Sequence, residues 1–375
     1  MAGGTAAEAR LERRISGVQT LCRAGLDVDA LHSGFLYRLR TIMPVDAVFF
    51  ATVDPGTLLF TSAMAEEPLD TATPLFLENE FGRRDVNKFA VLAESAPAVS
   101  SLDQATGGER TSSARYREVM APLGLGDELR AALVIGHRCW GVLCLHREDS
   151  PTGFSADELT LVRRLAPHLA GGLRHAVTGG ALSARPPLSP DQNPSPGIVV
   201  LDDSLALISL NSEAEQWLAD LTDNQWPGSG TLPAALHSAA ARLLFAERAD
   251  PLACPPPAAV RLRGSSGRWL SLHASRLEDP AGPRIGVVIQ AVPPAELGSI
   301  LLSAYGLTEA QLRVAALILK GRSTREIVTE LYISANTVQE HLTAIFDKLG
   351  VRSRRELVAT LLASAPPGER HPRSR

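Results

Sequence analysis

Three times within the last seventy residues a hydroxyl side chain stands three positions ahead of a glutamate or glutamine. The pairs are Thr308 with Gln311, Ser323 with Glu326, and Ser353 with Glu356. At that spacing the hydroxyl can accept from the third backbone N–H of a helix while the longer side chain reaches back to the cap. Each pair is followed by apolar residues of helical period: Leu312, Val314, Leu317 and Ile318; then Ile327, Val328 and Leu331; then Leu357, Val358, Leu361 and Leu362. A fourth helix begins at Ser334, with Val338, Leu342, Ile345 and Leu349 on one side. Gly321 and Gly350 supply left-handed C-terminal caps. Four helices this short must bury their apolar faces on one another, which predicts a small all-α bundle.

The middle pair, predicted over Glu326–Leu331 and Thr337–Leu349, is joined only by 332–336, and Ile333 is expected to plug the core between them. So short a turn forces a steep crossing and leaves the second helix protruding. Its outer face carries Asn336, Gln339, Glu340, Thr343 and Asp347, all polar and none a bulky aliphatic. A protruding polar helix suits the major groove of DNA. The same geometry also serves protein adaptors, so an interaction module that binds no DNA is the alternative.

Leu307-Thr308, Gly321, Ser323, Arg325-Glu326-Ile327, Leu331, Ile333-Ser334, Thr337-Val338, His341-Leu342 and Lys348-Leu349-Gly350-Val351 together resemble the signature of the LuxR/FixJ-type helix-turn-helix family. The resemblance runs in register through about sixty residues. It implies a four-helix domain that binds double-stranded promoter DNA, usually as a homodimer, with the third helix in the major groove. RNA polymerase is a further partner in that reading. The fourth helix would lend its Leu357 and Leu361 face to the dimer. Carried onto this chain, the resemblance places DNA contacts at Ser323, Thr324, Arg325, Asn336, Thr337, Gln339, Glu340, His341, Thr343, Lys348 and Arg352.

The chain also departs from the family. Members generally have Lys or Arg where Gln339 stands, often Lys in place of Asn336, and a glutamate in place of Arg313. Gln339 can pair with adenine and Glu340 can accept from cytosine, but neither grips a phosphate. Arg322, Arg325, Lys348, Arg352, Arg354 and Arg355 are then the expected backbone anchors. His341 falls at the edge of the buried face and reads as a packing residue, with no nucleophile or carboxylate spaced to work with it.

Charge agrees with a nucleic-acid partner. Residues 306–375 hold eleven Lys and Arg against seven Asp and Glu, a balance of +4, while the remainder of the 375 residues carries −8. No apolar run reaches the ~20 residues of a membrane span, and no signal-peptide core is visible at the N-terminus. Cys22, Cys139, Cys144 and Cys254 are too few and too scattered for a disulfide framework. The expectation is a soluble cytoplasmic protein with reduced thiols and no membrane partner.

Punctuation divides the chain. Pro186, Pro187, Pro190, Pro194 and Pro196, with Gly179 and Gly180, mark a linker within His175–Gly197. Ahead of it, strands are expected over Val45–Thr52 and Leu58–Ser62, and a hairpin joins Ala131–Ile135 to Trp140–His146 through Gly136-His137-Arg138. Ser155 and Glu158 cap a helix bearing Leu159, Val162, Leu165, Leu169 and Leu173, with a kink expected at Pro167. Trp140–Leu143, Phe154–Glu158 and Leu165–Leu169 resemble the closing strand and last helix of GAF domains, which implies a small-molecule pocket over a sheet. Cys139 and Cys144 should point to opposite faces of one strand, and neither pairing with His137 or His146 has a zinc spacing, so no metal is assigned.

After the linker, Gly197–Asp203 and Leu205–Leu210 read as two strands around an Asp-Asp-Ser turn. A helix with Ala214, Trp217, Leu218 and Leu221 inside follows, then alternation at Leu270, Leu272 and Ala274 and a last strand at Ile285–Val292. Val200 through Asn211 and Ala214 resemble the start of a PAS domain.

The sequence therefore predicts a multidomain α+β chain. A helical segment covers 1–25, a GAF-like domain 26–176, a linker 177–195 and a PAS-like domain 196–292. A connecting helix spans 293–305, the helix-turn-helix domain 306–365 and a disordered tail 366–375. No phosphate loop, GxSxG elbow, HExxH or kinase motif occurs, no receiver-type aspartate is found, and neither catalysis nor a cofactor is expected. An unidentified small molecule or a protein partner is the expected control.

Overall fold

Gly136 and His137 both adopt left-handed backbone conformations, φ 58° and 68°, and turn the chain back in two residues. A computed structural model, which describes residues 2–150, 152–178, 195–221, 232–249, 257–280, 282–292, 302, 307–349 and 351–362, builds its first sheet on this hairpin. Strands β1 (Ala47–Val53), β2 (Phe60–Ala65), β3 (Val99–Ser101), β4 (Leu125–Ile135) and β5 (Arg138–Glu148) lie in the order β2-β1-β5-β4-β3, each pair antiparallel. The sequence places β2 two residues early. Leu58 sits at φ 59° and bonds back to the Asp54 carbonyl, so the strand cannot begin before the turn it closes.

Every residue of β1 is buried because both faces of this sheet are covered. One face packs on α2 (Val28–Arg40) and α6 (Ala156–Thr178), with α1 (Ala2–Cys22) against α2; the His32 ring lies 4.7 Å from Phe50, and Gly141 leaves the room that Leu173 fills. The other face lies under α3 (Thr73–Gly82), α4 (Phe89–Glu94), α5 (Leu102–Thr106) and a π-helical turn at Tyr116–Met120. Cys139 and Cys144 are both buried, but a bulge in β5 opposite Leu133 and Val134 shifts the alternation, so Cys144 pairs with Arg130 and Cys139 with Val134 on one face of the sheet, not on the two faces the period-two reading predicts. The Ser155–Glu158 capping box forms, Pro167 lies within a helix that runs on through it, and α6 continues to Thr178, past the expected start of the linker.

The central residues form a second five-stranded sheet. Strands β6 (Gly197–Leu201), β7 (Leu207–Leu210), β8 (Ala259–Arg263), β9 (Trp269–Leu277) and β10 (Arg284–Ala291) lie in the order β7-β6-β10-β9-β8, the strand order of the first sheet repeated. Asp202 Oδ1 accepts from the N–H groups of Ser204 and Ala206 and closes the predicted turn. Asn211 caps α7 (Ser212–Asp220) by accepting from Ala214 N, and Ala214, Trp217, Leu270, Leu272 and Ala274 are buried as expected.

Helix α8 (Ala234–Ala249) was not foreseen as an element, and it binds the two sheets together. Its Ser238 Oγ accepts from Phe60 N at 2.8 Å, Arg242 lies 4.8 Å over the Phe81 ring, and a Cβ on Gly82 would come within 2.8 Å of Phe245. Beside it the Asp54 carboxylate, 1% exposed as a residue, accepts from Arg261 N, Nε and Nη2 at 2.9 Å. Partners about 180–207 residues apart leave no trace in local pattern.

The last four helices are α9 (Glu309–Leu319), α10 (Thr324–Leu331), α11 (Ala335–Leu349) and α12 (Arg354–Leu362). Leu307, Val314, Leu317, Ile318, Ile327, Val338, Leu342, Ile345, Val351 and Leu357 form their buried core. Residues 179–194 of the expected linker, the connecting helix apart from Leu302, Gly350, Cys254 and the tail lie outside the described residues. Among the described residues no helix is long and apolar enough to cross a membrane.

Candidate functional site

Local hydrogen bonding fixes the pose of α11. Ser323 Oγ accepts from Glu326 N at 3.3 Å, and the Glu326 carboxylate accepts from Ser323 N at 2.7 Å. Tyr332 ends α10 in a left-handed conformation, φ 55°, with its side chain 94% exposed. Ser334 then starts α11 by accepting from Thr337 N. Both helices begin earlier than the sequence predicts, leaving only 332–334 between them, and Ile333 is half-buried. The boxes at Thr308 and Ser323 form in full; at Ser353 the hydroxyl accepts from Glu356 N, but the Glu356 carboxylate accepts from Arg352 N instead of the cap.

Asn336, Gln339, Glu340, Thr343 and Asp347 are all exposed along one face of α11, while Thr337 and His341 flank it half-buried. Asn336 Nδ2 donates to Glu340 Oε1 at 2.9 Å, and Thr343 Oγ1 donates to the Gln339 carbonyl. Ser323, Arg325 and Arg352 are exposed and Thr324 half-buried. Among the cations expected to grip phosphate, three have other engagements. Arg322 pairs with Glu326 at 3.3 Å and Glu330 at 3.6 Å, Arg354 donates to the Arg322 carbonyl, and Lys348 Nζ donates to Gln311 Oε1 at 2.9 Å. Leu357 is fully buried within its own domain, so it belongs to the core and is not offered to a second chain; the side chain of Leu361 lies outside the described set.

A second feature lies under α3 of the first sheet. Phe49, Ala65, Leu69, Thr73, Phe76, Val119 and Met120 wall a cavity whose polar end is made by Arg115, Glu128 and His146; counted together with the open space at its mouth it measures about 360 Å³. The π-helical turn delivers Val119 and Met120 to it, a geometry that recurs at functional sites.

Set against known proteins, residues 306–361 match the model described as bacterial regulatory proteins, luxR family. The spore germination protein GerE of Bacillus subtilis (strain 168) is 39% identical over 56 residues, a stretch covering 15% of this chain and 76% of GerE. The chain belongs to the luxR family of bacterial regulatory proteins. The oxygen regulatory protein NreC of Staphylococcus aureus (strain JH9) is 42% identical over 52 residues, 14% of this chain and only 24% of NreC. Residues 27–173 of this luxR-family chain match the GAF domain model, which includes every residue of the cavity wall. In the solved E. coli DhaR(N)-DhaL complex, a chain aligns with 76% of this one and 90% of its own length at 17% identity, with a TM-score of 0.23.

The polar end of the GAF cavity rests on a buried ionic network that sequence inspection missed. Glu128 Oε2 accepts from Arg115 Nε at 2.8 Å and Oε1 from Arg130 Nε at 3.0 Å, and Arg130 also pairs with Glu80 at 2.9 Å. Burial pushes the Glu128 carboxyl up, but Arg115 and Arg130 outweigh it and hold it far below the usual carboxylate range. His146 lies opposite Glu128 on β5, and burial lowers its pKa to about 4 against the pull of Glu128. The available signal was the alternation Glu128, Arg130 on β4, facing Cys144 and His146 on β5.

Glu128, Cys144 and His146 bring a carboxylate, a sulfur and an imidazole within 4.8 Å of one another. The chemistry does not suit a cation. Both Glu128 oxygens are engaged by guanidinium groups, burial holds the Cys144 thiol protonated, and two positive charges stand beside the cluster.

Proposed function

We propose that this luxR-family chain is a transcription regulator that reads promoter DNA as a homodimer through the exposed face of α11, under the control of a small molecule held in the GAF cavity. The observation that carries the reading is a helix fixed by Ser334 and by the Ser323–Glu326 box, with an outward row from Asn336 to Thr343 that is polar throughout. Polar side chains without aliphatic bulk can approach base edges, and each bidentate pair discriminates by about 1–3 kcal/mol. Ser323, Thr324, Arg325, Thr337, His341, Lys348 and Arg352 border that row and supply the positioning contacts in this proposal. The domain limits at 26–176, 196–292 and 306–365, a PAS-like character for the central sheet, RNA polymerase as a further contact and a cytoplasmic location belong to the same reading.

One observation favours a different role. The outward row carries Glu340 and Asp347 and no cation, and acids in a groove repel phosphate. A protein-interaction regulator that binds no DNA is therefore the second reading. Footprinting of the full chain on the DNA upstream of its own gene, with selection from genomic fragments, separates the two. Occupancy that disappears when Gln339, Glu340 and Thr343 are together replaced by alanine supports DNA reading. Failure to retain any duplex above background ends it.

A further inference from the structure

The GAF cavity joins an apolar wall to a polar end whose charges are already balanced. Facing that end are three acids, Glu80, Asp85 and Glu128, and three cations, Lys88, Arg115 and Arg130. Arg115 is spent on Glu128, Asn79 Oδ1 and the Val86 carbonyl; Arg130 on Glu128, Glu80 and the Asn87 carbonyl. Lys88 Nζ donates to the carbonyls of Asn79 and Arg83. No cation is left to neutralise an anionic ligand, and a cationic one would meet two guanidinium groups.

Two polar atoms of the lining residues remain unsatisfied, and a third, Arg130 Nη2, lies behind them. His146 Nδ1 is buried, on a residue 3% exposed, and has no hydrogen-bond partner. Arg115 Nη2 lies 2.7 Å from Glu128 Oε2, yet its N–H makes no well-directed hydrogen bond. Buried polar atoms without partners are uncommon and ask for an explanation. On the imidazole, Nε2 lies 3.7 Å from Glu128 Oε1, and the carboxylate's field favours the proton there. Nδ1 then offers a lone pair and needs a donor, whereas Arg115 Nη2 needs an acceptor. A hydroxyl supplies both from one oxygen atom.

The wall selects the rest of the molecule. Phe49 and Phe76 both line the cavity with ring centroids 4.7 Å apart, and Met120 adds a sulfur that packs well on aromatic edges. We propose that the ligand of this cavity is a small uncharged aromatic molecule bearing a hydroxyl, a phenol, whose O–H donates to His146 Nδ1 while its oxygen accepts from Arg115 Nη2. This inference rests on the sensory reading of the GAF cavity given above.

The test uses the full chain and three probes in isothermal titration: phenol, toluene and benzoate. Phenol is expected to bind at least about tenfold tighter than toluene, the ratio that one satisfied hydrogen bond at a buried acceptor produces, and benzoate to bind more weakly than either. In His146→Leu the preference for phenol over toluene disappears; in Ala65→Leu, which narrows the cavity, both lose affinity. The wild-type comparison needs no variant, so a misfolded mutant does not shield the idea. Equal affinity for phenol and toluene, a preference for benzoate, or no phenol binding at all overturns the assignment. Footprinting with and without phenol judges the sensory reading separately: a footprint indifferent to bound phenol removes the sensing and leaves the ligand class standing.

Discussion

Asn336 Nδ2 and Glu340 Oε1 meet at 2.9 Å one turn apart on the exposed face of α11, so two side chains of the row proposed to read bases hold each other in the free protein. In the proposed DNA reading the pair must open, or present itself as a unit, when the groove is engaged, and its carboxylate would meet the phosphates' negative field.

Removing that charge should loosen discrimination. Glu340→Gln is expected to raise affinity for scrambled duplex several-fold at low salt while the operator gains less, so the specificity ratio falls. Fluorescence anisotropy with both duplexes at two salt concentrations checks this. An unchanged ratio would mean that Glu340 touches neither base nor backbone field.

Phosphate contacts should follow engagement as well as position. Arg325 and Arg352 are exposed, and no side-chain bond or ion pair engages them among the described residues, whereas Arg322 is held by Glu326 and Glu330. Alanine at Arg325 or Arg352 is expected to reduce the slope of log affinity against log salt by about 0.9 each. Alanine at Arg322 should reduce it by clearly less, since part of its charge is already compensated. Equal slopes for all three variants would show that the ion pairs dissolve on binding.

The GAF domain should lose stability in mild acid. Burial lowers the pKa of both His32 and His146 from 6.5 to about 4. The unfolded chain therefore takes up these protons below pH 6.5, which the folded chain refuses until near pH 4. Stability from the two groups is complete above pH 6.5, falls as the pH drops from 6.5 to 4, and changes no further below that. Each contributes about 3 kcal/mol at most, at 1.36 kcal/mol per pKa unit. Urea unfolding at pH 7.5, 5.5 and 4.5 should show the decline, and His32→Gln or His146→Gln should flatten it.

Much of the helical domain was legible because its determinants are local. A capping box spans four residues, and an apolar stripe repeats within two turns, so Thr308, Ser323, Ser334, Val338, Leu342 and Ile345 take the places their spacing dictates. Leu357 was misread because an amphipathic stripe does not say whether its own domain or a second chain covers it. The buried network had the opposite difficulty. Arg115, Glu128, Arg130 and Glu80 are charged residues at positions that hydropathy assigns to the surface, and only the return of α3 and the π-helical turn over the sheet buries them. Helix α8 is rich in alanine on every side, a pattern that names no face until β2 and α3 are known to flank it.

Leu357→Ala separates the two roles of that residue. As a core side chain it should cost the helical domain about 2–5 kcal/mol. Concentration-dependent sedimentation of the folded fraction should leave self-association unaltered. A variant that unfolds normally but sediments as a smaller species would restore the residue to an interface.

Helix α3 touches the cavity through Thr73 and Phe76 near its start and meets α8 through Phe81 and Gly82 at its end. Gly82 sits so close to Phe245 that no methyl group fits between them, and close-packed helices move as rods rather than bending independently. If the cavity takes a ligand as proposed, occupancy beneath one end of that rod reaches the other, and the central sheet inherits the state of a chamber to which it contributes no wall.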